Sequence, residues 1–166
     1  ALPPAPRQSG VWDERKHSEA GMTDSYAEFL RQKIKLASFK GFDVAEAEVN
    51  PALKPHTRQI VRWAVQGGNR AVFASFGLHK TATQLECMRL IGRYRPGLRC
   101  IVIPLGVRQE FFREVAQRFQ GEHSIDLRFV RQDSEIDDPA TVYLTNYESI
   151  REGKIDPRRL RAASLD

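Results

Sequence analysis

The sequence predicts an α/β fold with a mainly parallel sheet flanked by helices, and three observations carry that expectation. Short runs of consecutive apolar residues, at 71–74, 100–103 and 141–144, alternate along the chain with segments whose apolar residues recur every three or four positions. The second kind of segment has the repeat of a helix that buries one face. The first kind is apolar throughout, not at every second position, which is the pattern of a strand covered on both sides. Alternation of the two is the order a parallel sheet needs, because parallel neighbours require a crossover between them.

Taken in order, residues 1–22 hold Pro3, Pro4 and Pro6 among Ser, Gly and mixed charge without apolar periodicity, so they read as a disordered leader. No apolar stretch there resembles a signal peptide. Residues 23–68 form an N-terminal helical segment. Thr23 and Asp24 suit helix caps, Tyr26, Phe29, Leu30, Ile34 and Ala37 share one stripe, and Gly41 ends that helix. Pro55 fits the first turn of a second helix running to Gln66, with Ile60, Val61, Ala64 and Val65 on one face and Gly67-Gly68 as the stop.

Residues 69–166 read as the α/β unit. A strand at 71–74 leads through a turn of small residues into a helix marked by Ala82, Leu85, Met88 and Ile91. A strand at 100–103 precedes a helix marked by Val107, Phe111, Val115 and Phe119. Ile125, Leu127 and Phe129 alternate as a third strand, residues 133–138 make an acidic loop, and residues 141–144 make a fourth.

The 166 residues, 41% of them hydrophobic, are enough for one core and exclude a disordered chain, while no apolar run is long enough to span a membrane. Cys87 and Cys100 have no CxxC or histidine partner at ligand spacing, which argues against a zinc site or a disulfide framework and fits a reducing cytoplasm. His17, His56 and His123 have no nucleophile or ligand spacing around them and read as structural. The net charge of +5 comes from 19 arginines against 7 lysines. Arginine forks phosphate well, although the same balance also serves simple solvation.

Chemistry concentrates where residues 74–81, Ala-Ser-Phe-Gly-Leu-His-Lys-Thr, run from the first strand into a helix. Backbone N–H groups at a helix N-terminus attract anionic oxygens, a lysine there reaches terminal phosphates, and the next hydroxyl ligates magnesium. Lys80 and Thr81 stand in those positions.

Leu53-Lys54-Pro55-His56 followed by Trp63, then the Lys80-Thr81 loop, then Pro104-Leu105 with Phe111 and Glu114, then Thr145-Asn146-Tyr147-Glu148 occur in one order. The series resembles the first lobe of superfamily II helicases and Swi/Snf-type DNA translocases, in the variants of phages and DNA-modification systems. The resemblance implies an incomplete P-loop RecA-like three-layer sandwich and a cytoplasmic protein of bacterial or phage origin. It further implies that ATP and magnesium are held by Gly77, Leu78, His79, Lys80 and Thr81, that residues 162–165 are a short strand leading to Asp166, that Thr81 and Asp166 are the magnesium ligands, and that Lys80 and Asp166 are the catalytic residues. Adenine would lie by Phe42, Pro55, Thr57 and Gln59, whereas Tyr26 and Phe29 read as core. The DNA backbone would meet Leu105, Arg108, Thr145, Asn146 and Tyr147, aided by Arg113, Arg118 and the basic residues of 151–161. A second RecA-like lobe would be missing from this chain, and no membrane is involved.

Two residues depart from the family pattern. Thr57 stands where an adenine-reading glutamine belongs, and a hydroxyl lacks the paired donor and acceptor of an amide. His79 stands where the loop has glycine; a left-handed backbone there costs roughly 1–2 kcal/mol for a residue with a Cβ, and the imidazole crowds the phosphate. The two together predict weak ATP binding or none. The alternative function is an inactive DNA-binding or protein-interaction module that retains the fold; a small-molecule P-loop kinase ranks behind both.

Overall fold

The computed structural model describes residues 26, 28, 29 and 39–159, and the chain divides into two units, Ala1–Ser38 and Phe39–Asp166. In the first unit Tyr26, Glu28 and Phe29 are helical. Tyr26 and Phe29, expected in a core, are exposed, and their rings stack on each other at 6.3 Å. The leader, the remainder of that helix and the expected strand at 162–165 lie outside the described residues.

The second unit is α/β. Its helices are α1 (Pro55–Gly67), α2 (Lys80–Tyr94), α3 (Arg108–Arg118) and α4 (Tyr147–Arg151), and its strands are β1 (Arg99–Ile103), β2 (Leu127–Phe129) and β3 (Val142–Asn146). The strands form one parallel sheet in the order β1-β3-β2, with Ile103 opposite Asn146 and Phe129 opposite Leu144.

Strand alternation divides the core between the two faces of the sheet. Ile101, Ile103, Val142 and Leu144 pack against α1, α2 and α3 through Val61, Val65, Leu85, Leu90 and Phe111. On the other face Tyr143 is buried with Val130, Ile136 and Ile155, against which Leu98, Cys100 and Ile150 pack. The Tyr143 hydroxyl accepts the backbone N–H groups of Asp137 (3.1 Å) and Asp138 (2.8 Å). It thereby fixes the acidic loop, whose carboxylates stay at the surface.

One expected strand does not form. Residues 71–74 are irregular and pair with no strand among the described residues; Phe73 is 97% exposed. An apolar run becomes a strand only when a neighbour takes up its backbone groups, and β1 offers its pairing to β3 alone. The parallel α/β class therefore stands, with three strands among the described residues.

The irregular segment before α1 is tightly fastened. Helices leave their last carbonyls without partners, and here the N–H groups of Lys40, Gly41 and Phe42 approach the carbonyls of Gly67 (3.4 Å), Gln66 (3.2 Å) and Val65 (3.1 Å). A Cβ on Gly41 would lie 1.7 Å from the Val65 carbonyl oxygen, so the close approach requires glycine. Gly68, at φ 76°, closes α1 as expected. Further along, buried Glu86 accepts the Asn50 N–H at 2.8 Å and pairs with buried Arg89 at 2.7 Å, while Arg89 also reaches the Glu48 carbonyl. A carboxylate can be buried at this cost only when its lone pairs are all answered.

The four residues between α2 and β1 make helix and strand antiparallel. The N-terminus of α2 consequently lies at the carboxyl end of the sheet, where β1 also hands the chain on to α3.

Candidate functional site

Approaching α2 the chain makes a turn at Phe76-Gly77-Leu78, with Gly77 at φ 79°, and enters the helix through His79 at φ 52°, ψ 39°. His79 is the single non-glycine residue with positive φ among the described residues. The left-handed conformation expected of the loop is present, and the imidazole is held in it. The His79 carbonyl accepts both the N–H and the hydroxyl of Thr83 at 3.0 Å. No side chain caps the N-terminus of α2. Its first N–H groups, which have no acceptor within the helix, open toward the loop and suit an anion.

Lys80 adds the positive charge. Its ammonium donates to the Ala74 carbonyl at 2.8 Å and to the Ser75 carbonyl at 3.0 Å, and it sits 5.2 Å from the centre of the exposed Phe76 ring. Among the described residues no carboxylate is paired with it. Gly77 has open space where a Cβ would go, so its backbone conformation, not crowding, is what calls for glycine. Half-buried Thr81 lines the same concavity of about 360 Å³, and so do Glu110 and Glu114 from α3. Those carboxylates were not foreseen as part of the site, although their four-residue spacing puts them on one helix face. Glu114 pairs with Arg118 at 2.6 Å and Glu110 with Arg113 at 3.2 Å.

The His79 ring faces the ring of exposed His56, centroids 6.1 Å apart. Burial first, then the Lys54 ammonium and the Arg118 guanidinium, hold His79 below the ordinary imidazole range. It therefore adds no positive charge to the loop at neutral pH.

The expected adenine neighbours are dispersed. Phe42 stacks on Tyr94 at 4.5 Å with the Arg95 guanidinium 5.8 Å from its ring centre, so one of its faces is taken by protein. Thr57 is fully buried and its hydroxyl has no hydrogen-bond partner, while Gln59 and Pro55 are exposed. Of the two expected magnesium ligands Thr81 is at the loop and Asp166 lies outside the described residues. Among the described residues no three His, Cys, Asp or Glu side chains cluster as a metal site would need.

The expected DNA-facing segments do converge, because parallel register sets the end of β1 beside the end of β3. Their side chains differ in availability. Leu105 (51%) and Tyr147 (58%) are exposed. Thr145 and Asn146 are buried: the Thr145 hydroxyl donates to the Val130 carbonyl at 3.0 Å, and the Asn146 side chain accepts the Ser149 N–H at 3.0 Å as the N-cap of α4. Half-buried Arg108 lies 4.7 Å over the Phe129 ring, a stack that the sequence did not reveal. Arg113 and Arg118 pair with their own helix. Lys154 pairs with Glu152 at 2.6 Å, Arg158 with Asp156 at 3.0 Å and Arg159 with Asp133 at 3.6 Å, so much of the basic charge is already answered.

Burial pushes the Cys87 and Cys100 thiols up to about 12, which removes them as nucleophiles at neutral pH. No helix among the described residues is long and apolar enough to cross a membrane. Comparison of the chain with protein-family models, with curated proteins and with solved structures finds no match.

Proposed function

We propose that this chain is the nucleotide-facing part of the first lobe of a DNA helicase or translocase, binding ATP and magnesium weakly at residues 77–81 and the DNA backbone along the carboxyl edge of the sheet. One observation carries the reading: a left-handed residue immediately before an uncapped helix N-terminus, with the Lys80 ammonium on the Ala74 and Ser75 carbonyls of the loop and no acid paired to it among the described residues. Such a loop brings backbone N–H groups and one lysine cation together, which is the donor set a polyphosphate needs. Bound magnesium would neutralise phosphate charge, with the Thr81 hydroxyl as the ligand that this loop supplies. Leu105, Arg108 and Tyr147 would meet DNA through its backbone, without reading bases.

A second reading, a DNA-binding module that has lost nucleotide turnover, draws on Glu110 and Glu114 in the loop concavity, which repel phosphate, and on the burial of Thr57. Thermal melting distinguishes the two. The first predicts that ATP with magnesium raises the midpoint in proportion to RT ln(1 + [L]/Kd) and that Lys80→Ala abolishes the rise. If nucleotide leaves the midpoint unmoved while DNA raises it in a salt-dependent manner, the second is correct.

A further inference from the structure

Four large aromatic side chains between residues 39 and 76 stand in solvent: Phe39 is 72% exposed, Trp63 48%, Phe73 97% and Phe76 100%. A single apolar residue at a surface is ordinary, whereas exposed aromatics that recur beside cations mark a surface that binds. The Arg70 guanidinium lies 5.7 Å from the centre of the Phe39 ring and 5.4 Å from that of Trp63, and the Lys80 ammonium lies 5.2 Å from that of Phe76. Among the described residues neither cation has a carboxylate partner; Arg70 donates to the adjacent Asn69 carbonyl at 3.2 Å. Both cations line one groove of about 410 Å³, with Val72, Gln84, Met88 and Ile101.

The sequence explains the charge. From Val49 to Leu85 there is no Asp or Glu, while Lys54, Arg58, Arg62, Arg70 and Lys80 fall within that stretch. The acids that approach α1 come from the segment before it: Glu46 pairs with Arg58 at 3.6 Å and Arg62 at 4.0 Å, and Asp43 accepts from the Gln66 amide at 2.7 Å. Glu110 and Glu114 share the loop concavity with Lys80 but pair with Arg113 and Arg118. Arg70 and Lys80 are left for an anion from outside.

We infer that this surface binds single-stranded nucleic acid, a base stacking on the exposed ring of Trp63 and the phosphates lying on Arg70 and along the groove toward Lys80. An aromatic face accepts any base, and cations interleaved with such faces track the backbone. In a duplex the bases already stack on one another, so an unpaired strand alone can use Trp63. An acidic peptide would answer the cations and leave the exposed rings unused. The surface belongs to other elements than Leu105, Arg108 and Tyr147, and the inference does not rest on nucleotide binding.

Fluorescence of the full chain tests it. The sequence has two tryptophans, and Trp12→Phe leaves Trp63 as the reporter. Oligothymidylate is expected to quench Trp63, whereas a duplex and polyglutamate at equal charge should not. Binding of labelled oligothymidylate, followed by anisotropy, should weaken about fivefold or more in Trp63→Ala, weaken in Arg70→Ala, and largely recover in Trp63→Phe, which restores a ring. An abasic strand of the same length should bind more weakly and be indifferent to Trp63→Ala. Absence of quenching, or equal quenching by polyglutamate or the duplex, would overturn the inference. So would affinity for oligothymidylate that Trp63→Ala leaves unchanged, a result that would leave the carboxyl edge of the sheet as the DNA surface.

Discussion

Residues 40–53 and residues 71–79 are both largely irregular, and they are held in opposite ways. The first segment gives three consecutive N–H groups to the end of α1, places Val44, Val49 and Leu53 in the core, and ties Asn50 to the buried Glu86–Arg89 pair. In the second, Phe73 is 97% and Phe76 100% exposed, and Lys80 spans the loop from within. The first segment has its polar groups answered by protein, whereas the second keeps donors and a cation open to solvent. Loops that bind are usually of the second kind, set on a scaffold made rigid by the first.

Substitutions sharpen this contrast, and the largest effects belong to the fastened segment. Glu86→Ala strands Arg89 and the Asn50 N–H in the core and should remove about 3–5 kcal/mol from the unfolding free energy measured in denaturant. Gly41→Ala drives a Cβ into the Val65 carbonyl and should remove about 1–3 kcal/mol, read as a lowered melting midpoint. Phe73→Ser, on the open segment, should change stability by less than about 0.5 kcal/mol; a larger loss would show that residues 71–74 are packed in solution.

A pH scan gives the smallest effect. His79 releases its proton more readily in the folded chain than at its ordinary value of 6.5, so below that value the unfolded chain holds more protons. Stability should be fully present above about pH 6.5, fall as the pH drops through the window between that value and the lower folded one, and lose this dependence in His79→Gly. An unchanged pH profile in that variant would place the titration elsewhere.

Much of this arrangement was legible in the sequence because periodicity reports burial directly. α1, α2, α3 and the strands β1 and β3 fall close to where apolar spacing sets them, and a histidine in the glycine position of a loop announced its left-handed backbone. Residues 71–74 misled for the same reason: an apolar run signals a strand but does not supply its neighbour. Thr145 and Asn146 were expected to face DNA; the Thr145 hydroxyl donates to the Val130 carbonyl, a partner distant in the chain, while the Asn146 side chain caps α4 through the Ser149 N–H, a local contact. Glu114 was read only as part of the Pro104-Leu105 motif and Glu110 not at all, because their place beside the loop depends on how α3 packs against α2, a contact between distant parts of the chain.

Isothermal titration of an ATP analogue with magnesium into the unaltered chain, His79→Gly and Lys80→Ala tests the central claim, that residues 77–81 form a phosphate-binding loop hindered by its histidine. The account predicts weak binding to the unaltered chain, tighter binding to His79→Gly and none to Lys80→Ala. Equally tight binding to the first two, or no binding even to His79→Gly, would contradict it.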